Sequence, residues 1–247
     1  MRIHHKIIFV IVITTLIGCS QVNQDERNNE INITGSGNLV TQEVNLAKFE
    51  QVEAGLHFDL TIRQGEEPHV VLTSDDNFID FIQVEQSGSE IRFGFIPGHA
   101  YDISGVTLKA EVVTPEITRL DLDSASHAHI VGYRSQRPFE ANLTGSSALT
   151  GEVRLDVLQV HAFGSSFVQL SGSATDLSLE ACGANIVDLS EYKTVDAQLE
   201  VSCASKVILG AAEQLVGDAS QHAQVFYSGK PALQQFKVQE FASLQSR

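Results

Sequence analysis

The sequence predicts an all-β protein built as a right-handed parallel β-helix, and three observations carry that expectation. Between Leu120 and Gly210 five short turns of small residues recur: Ser124-Ala125-Ser126, Gly145-Ser146-Ser147, Gly164-Ser165-Ser166, Gly183-Ala184-Asn185 and Cys203-Ala204-Ser205. Their last residues lie 21, 19, 19 and 20 positions apart. A fixed period near 20 marks stacked rungs, none of which buries its apolar face alone. Around each turn the apolar residues fall at every second position, as in a strand with one buried face. Finally, 18 Gly, no Trp and 4 Tyr in 247 residues suit a turn-rich β chain. The same composition argues against an aromatic platform for gripping carbohydrate.

Taken in order, the chain opens with a secretion signal. Arg2 and Lys6 give a positive start, and residues 7–17 form an apolar run too short to span a bilayer. The run ends in Leu16-Ile17-Gly18-Cys19, which resembles a bacterial lipoprotein box. That resemblance implies cleavage after residue 18 and lipidation of Cys19, with several acyl chains anchoring stably because each buried methylene contributes about 0.8 kcal/mol. Ser20 stands where Asp would signal retention in the inner membrane, so the box implies an outer-membrane lipoprotein facing the periplasm or the surface. Residues 19–32 read as the lipidated Cys and a polar, flexible tether. Residues 33–245 read as one continuous domain, since no linker-like run divides them. No series of ten-residue amphipathic strands suited to an outer-membrane barrel follows.

The first folded half is β-rich but less regular. Phe58-Asp59-Leu60-Thr61-Ile62-Arg63 alternates cleanly, and Gly65-Glu66-Glu67-Pro68 supplies a turn. Val70-Val71-Leu72, the run 91–95 and the run 106–112 are further strands. One short helix is expected near 76–83, capped by Asp75 or Asp76, with Phe78, Ile79 and Ile82 on one face.

A family resemblance rests on the succession of these segments. Ile33-Thr34-Gly35-Ser36-Gly37-Asn38 precedes Phe49-Glu50-Gln51-Val52, then the 58–65 strand and turn, Asp76-Asn77, and Thr114-Pro115-Glu116-Ile117 leading into Leu120-Asp121-Leu122. In that order and spacing the chain resembles the bacterial family called putative auto-transporter adhesin, head GIN domain, over residues 33–239. The resemblance implies a pectin-lyase-like solenoid, no established catalytic residues, and a role in adhesion.

In the repeats, residues six before the end of each turn are Leu120, Ala141, Val160, Leu179 and Leu199. Four before it stand Leu122, Leu143, Ala162, Ala181 and Val201, and two after it Ala128, Leu149, Val168, Val187 and Val207. Stacking buries these columns as one core, while Gly132, Gly151, Gly172 and Gly210 mark a second corner. A leucine-rich repeat shares the period, but its Asn-centred consensus and helical half are missing. The rung 215–229 is looser, with Asp218-Ala219-Ser220 as its expected turn. Residues 233–244, carrying Phe236, Val238 and Phe241, are expected to close the open end.

Charge narrows the partners. Sixteen Lys and Arg against 31 Asp and Glu give a net charge of −15, and the leader removes two further positive charges. Such a surface repels phosphate backbones, which excludes nucleic acid and keeps an extracytoplasmic protein soluble. Outward parity aligns Asp121, Asn142, His161, Glu180 and Glu200 as one column, a candidate ligand or cation face in which Glu180 and Glu200 repel without a counter-ion. His127 and His129 share one side of a strand, a candidate two-point metal arm lacking an obvious third ligand. Phe163, Phe167 and Ile186 also have outward parity, a candidate partner patch unless a loop or the C-terminal segment covers it. Cys182 and Cys203 sit on adjacent rungs in an oxidising compartment, a candidate disulfide. Parity opposes that bond, because it turns Cys182 out and Cys203 in. Ser-rich turns invite comparison with hydrolase triads, yet no Gly-x-Ser-x-Gly elbow is present.

These readings describe a lipid-anchored, extracytoplasmic binding or structural module, held to the membrane by its anchor and engaging an envelope protein or glycan. No catalysis, cofactor or metal is expected. One alternative is a polysaccharide-active enzyme on the same fold, which needs a groove with clustered carboxylates beside a Lys or Arg. The other is a cation-binding envelope scaffold built on the His161 column.

Overall fold

Alternating apolar residues with a 19–21-residue period give strands that stack rung on rung, and this architecture is what the structure displays. It is a computed structural model describing residues 30–247; the leader, Cys19 and residues 20–29 of the expected tether lie outside the described residues. The described chain is a β-solenoid of about six turns, 66% strand and without an α-helix.

Each repeat contributes a strand to two long parallel faces. On the first face Arg119–Leu122, Phe139–Leu143 and the later halves of Ala148–Gly164, Phe167–Gly183 and Tyr192–Cys203 pair in register, followed by Gln214–Ala219 and Ala232–Val238. On the second face His127–Ser135 pairs with the start of Ala148–Gly164, then Phe167–Gly183, Ile186–Leu189, Lys206–Ala211, Gln224–Ser228 and Ser243–Ser246. A short third side, where Tyr133, Val153, Gly172 and Tyr192 align, closes the cross-section. The three predicted apolar columns fill the interior, and none of their fifteen members is more than 2% exposed.

The corner between the two faces must be thin. Gly164, Gly183 and Cys203 occupy one register position there, and a Cβ on Gly183 would collide with the Gly164 carbonyl oxygen. Inside that corner Ser126, Ser147, Ser166, Asn185 and Ser205 form a buried polar ladder. The Asn185 amide donates to the Ala162 carbonyl (2.9 Å) and to Ser205 Oγ (3.2 Å), while its oxygen accepts the Ser166 N–H (2.9 Å). Ser166 Oγ donates to the Phe163 carbonyl (3.0 Å). Ser147, Ser166 and Ser205 thus satisfy buried backbone carbonyls, whereas Ser126 Oγ is buried without a partner among the described residues and Ser124, Ser146 and Ser165 are exposed.

The N-terminal end departs from chain order. Gln51–Ala54 and Asp59–Gln64 lie between the repeats and a lower rung made of Glu90–Phe95 and Leu108–Thr114, which come later in sequence. Antiparallel strands Leu39–Asn45, His69–Asp75 and Ile82–Ser87 add a cap. Phe58, Phe78, Phe93, Phe95 and Tyr101 pack beneath it with ring centroids 5.0–6.2 Å apart. The expected helix near 76–83 is a single 3-10 turn, Ile79–Phe81, without a side-chain cap. Too few residues separate the flanking strands to offset helix nucleation, and both expected caps are engaged elsewhere. Asp75 is buried and accepts N–H groups from Gly37 (2.7 Å) and Thr107 (2.8 Å), and Asp76 accepts the Ser36 hydroxyl (2.6 Å).

Two C-terminal expectations are also corrected. Asp218 and Ala219 belong to a strand, and the turn falls on Gln221 and His222, both at positive φ. Residues 232–246 add another rung rather than folding over the end, which leaves Val238 45% and Phe241 88% exposed.

The hydrogen bonds from Thr107 and then Gly37 hold the Asp75 carboxyl below its ordinary range. A depressed folded pKa gives stability that is present above the unfolded value of about 4 and lost as pH falls through the folded value. Replacing Asp75 with Ala should therefore destabilise the protein by about 3 kcal/mol at pH 7. The gap to wild type in thermal melts should be constant from pH 8 to 5 and shrink below about pH 4.

Candidate functional site

Because parallel strands keep side chains in register, outward residues of successive rungs must line up. Asp121, Asn142, His161, Glu180 and Glu200 do form one column on the first face, extended by Arg92 and Glu53 below and by Asp218 and Lys237 above. Its lower part is internally paired. Arg92 reaches Glu53 (2.7 Å), Arg119 reaches Asp121 (2.8 Å), and the Asn142 amide donates to Asp121 (2.7 Å) and Glu140 (2.9 Å). Higher up, His161 Nδ1 lies 3.2 Å from Glu180 Oε2. Among the described residues no three His, Cys, Asp or Glu side chains converge to hold a metal ion. His127 and His129 are both exposed on one side of their strand, and His129 Nδ1 meets Thr150 Oγ1 at 2.9 Å.

The apolar trio straddles the thin corner. Phe167 and Ile186 are direct neighbours on adjacent rungs of the second face, and Phe163 stands across the turn beside Cys182. Their exposures of 36%, 46% and 36% (Phe167, Ile186, Phe163) leave them open to a partner. Cys182 and Cys203 are disulfide-bonded with Cα atoms 5.3 Å apart. Cys203 departs from strand parity for a local reason. Cys203 takes the corner position of Gly183 with φ +64°, so alternation ends one residue before it and its side chain is not turned inward.

A groove on the other side of the second face escapes sequence reasoning. It has a volume of about 660 Å³ and lies at the glycine corner, between the outward column His129, Thr150, Gln169 and Asp188 and a ridge formed by Glu152, Ser171 and Glu191. Ile130 and Leu170 floor it with main chain, since their side chains are 1% exposed and turned into the core. A second hollow of about 490 Å³ shares Val131 and Gly132 with it and continues toward Gln64 and Arg63. The groove exists because the rungs differ in length here: Val131-Gly132 bulge where the next rung has Glu152 alone. A bulge of that kind leaves no periodic signal.

The groove's electrostatics are acidic. Glu152, Asp188 and Glu191 line it, with no Lys or Arg. Arg154, bonded to Glu152 at 2.9 Å, lines a third, separate hollow together with Arg134 and Asp156. Asp188 accepts the Ser190 N–H at 3.0 Å and is thereby held in place. Burial pushes the Tyr133 and Tyr192 phenols upward, so neither supplies a proton acceptor near neutral pH.

Residues 48–231 match the profile of the family described as putative auto-transporter adhesin, head GIN domain. No curated protein matches the chain in sequence. A crystal structure of a putative adhesin from Bacteroides fragilis is similar, with TM-score 0.76, 14% identity, 87% of this chain covered and 100% of that one. A putative lipid binding protein from Parabacteroides distasonis gives 0.73, 17%, 88% and 100%. A putative adhesin from Parabacteroides merdae gives 0.67, 15%, 87% and 99%. At these identities the likeness concerns the fold.

The disulfide closes a loop across a sequence separation of 21, a constraint on the unfolded chain worth about 3 kcal/mol. Urea unfolding should show that loss for Cys182→Ala/Cys203→Ala. Cys182→Ala/Cys203→Gly should recover about 1 kcal/mol of it, because Gly relieves the left-handed backbone at 203. Equal stability of the two variants would contradict that reading.

Proposed function

The chain belongs to the putative auto-transporter adhesin, head GIN domain family, and from that premise we propose that it is a lipid-anchored, extracytoplasmic binding module of the cell envelope. The observation that carries the reading is the open groove along the rungs, a recognition surface held on a rigid scaffold. The lipoprotein box at Cys19 supports an anchor, and the polar stretch behind it supports a tether long enough to free the domain from the bilayer. Ser20 favours the outer membrane. Family membership supports adhesion, by contact with an envelope protein or glycan, as the kind of work done.

Two features weigh against the enzyme alternative. The groove holds the clustered carboxylates that a polysaccharide-active enzyme needs, but the guanidinium beside them, Arg154, is ion-paired with Glu152 at 2.9 Å and lines a separate hollow rather than the groove. The carboxyl groups that their surroundings hold below the ordinary range, Asp75 and Glu50, serve the cap and an ion pair with Lys48 and Arg137.

A second reading takes the exposed corner of Phe163, Phe167 and Ile186 as a lipid contact, in keeping with the description of the Parabacteroides distasonis protein as a putative lipid binding protein. Flotation with phosphatidylethanolamine–phosphatidylglycerol vesicles separates the two. The Cys19→Ala protein should stay in the soluble fraction if the acyl anchor is the sole membrane contact, and should float through the Phe167 corner if lipid contact is its work.

Crosslinking in intact envelopes tests the main reading. Wild type should capture a discrete envelope component, and Gln169→Trp, which obstructs the groove, should reduce capture at least tenfold. Capture unaffected by the groove variant would place the working surface elsewhere, and turnover of an envelope polysaccharide would replace the reading with the enzyme.

A further inference from the structure

Building on the binding-module reading, we infer that the groove beside the second face takes a linear glycan of neutral or amino sugars lying along the solenoid axis. Shape is the first argument. With its continuation past Gly132 the groove crosses five successive rungs, a run of about 19 Å at the spacing of paired strands. It is open along its side, so it suits an extended polymer better than a compact metabolite.

Lining chemistry is the second argument. Thr150, Gln169 and Asp188 present one polar side chain per rung along one wall, a repeating set of donors and acceptors for a repeating ligand. Apolar lining is limited to the half-buried Val131, because Ile130 and Leu170 point into the core. An acyl chain or the apolar anchors of a peptide therefore find no seat there. Nor does the groove expose a free strand edge: the second-face strands around it pair both above and below. An extended peptide is denied the main-chain hydrogen bonds that usually supply its affinity for a β protein.

Charge selects among glycans. The carboxylates of Glu152, Asp188 and Glu191 are acceptors for sugar hydroxyls and for ammonium groups; the basic side chains along the run are His129 and, in the continuation, Arg63, which is paired with Glu111 at 2.8 Å, while Arg154 pairs with Glu152 from outside. Uronate or phosphate groups placed there meet like charge in a chain already at −15. Because no aromatic ring lines the groove, each sugar adds a modest increment from hydrogen bonds, and affinity must accumulate along the chain.

Titration of the full-length protein in detergent against length-matched oligomers of glucose, xylose, N-acetylglucosamine, glucosamine and galacturonate tests this. At least one neutral or amino oligomer should bind, with affinity rising with length and levelling off once the groove is spanned, and galacturonate should not. Asp188→Lys and the exposed turn variant Glu191→Lys should each weaken binding at least tenfold. Glu213→Lys, the same charge change outside the groove, should leave it unchanged. Preference for galacturonate, or equal weakening by Glu213→Lys, would overturn the inference. Failure of every neutral and amino oligomer while envelope crosslinking still captures a groove-dependent protein would overturn the glycan and keep the binding module. Failure of both would overturn both.

Discussion

Everything in this molecule depends on the requirement that each rung's backbone pair with the rungs above and below it, about 4.8 Å away. That spacing leaves no volume at a corner for a side chain pointing along the axis. In the middle rungs the corner between the two faces runs Gly164, Gly183, Cys203, with the disulfide from Cys182 at the last of these, while the turns at either end use non-glycine residues such as Ser124 and Gln221 at positive φ. The polar groups exposed at the turn are satisfied inward by a ladder of Ser and Asn, of which Asn185 bonds to the rungs on both sides. Between the corners, the same pairing forces apolar side chains into columns, and the core is simply what those columns enclose.

Outward side chains inherit the alignment, which is how a regular scaffold produces surfaces. On the first face the alignment is absorbed by ion pairs at the lower rungs and by His161 against Glu180 above. On the second face the column is neutral and polar at its centre, and a change in rung length at Gly132 raises a ridge beside it. The groove is thus a by-product of irregularity in a periodic structure. Recognition of an extended ligand needs only this: a straight channel, fixed spacing and a rigid wall.

The repeats were readable because two periods coincide in them. Parity selected Leu120 through Val207 as core and aligned Asp121 with Glu200, and both follow from strand pairing alone. Four things were not readable, each for a definite reason. The lower rung at Glu90–Phe95 sits beneath Gln51–Ala54 although it follows it in sequence, and no local pattern encodes that return. Asp75 looks like a helix cap, but its partners Gly37 and Thr107 are more than thirty residues away on either side. Parity misjudged Cys203 because alternation ends where φ turns positive. The groove rests on a one-residue bulge and on which neighbours Thr150, Gln169 and Glu191 acquire through stacking, information held only by the folded chain.

The central claim joins scaffold to function: a register-fixed groove on the second face is the working surface. Backbone hydrogen exchange of the protein with and without a saturating envelope glycan fraction tests it most directly. The account predicts added protection across residues 129–132, 150–152, 169–171 and 188–191, recurring once per rung, with the first-face column and the Phe167 corner unchanged. Protection confined to the first-face column through His161, or absent from all rungs, would contradict it.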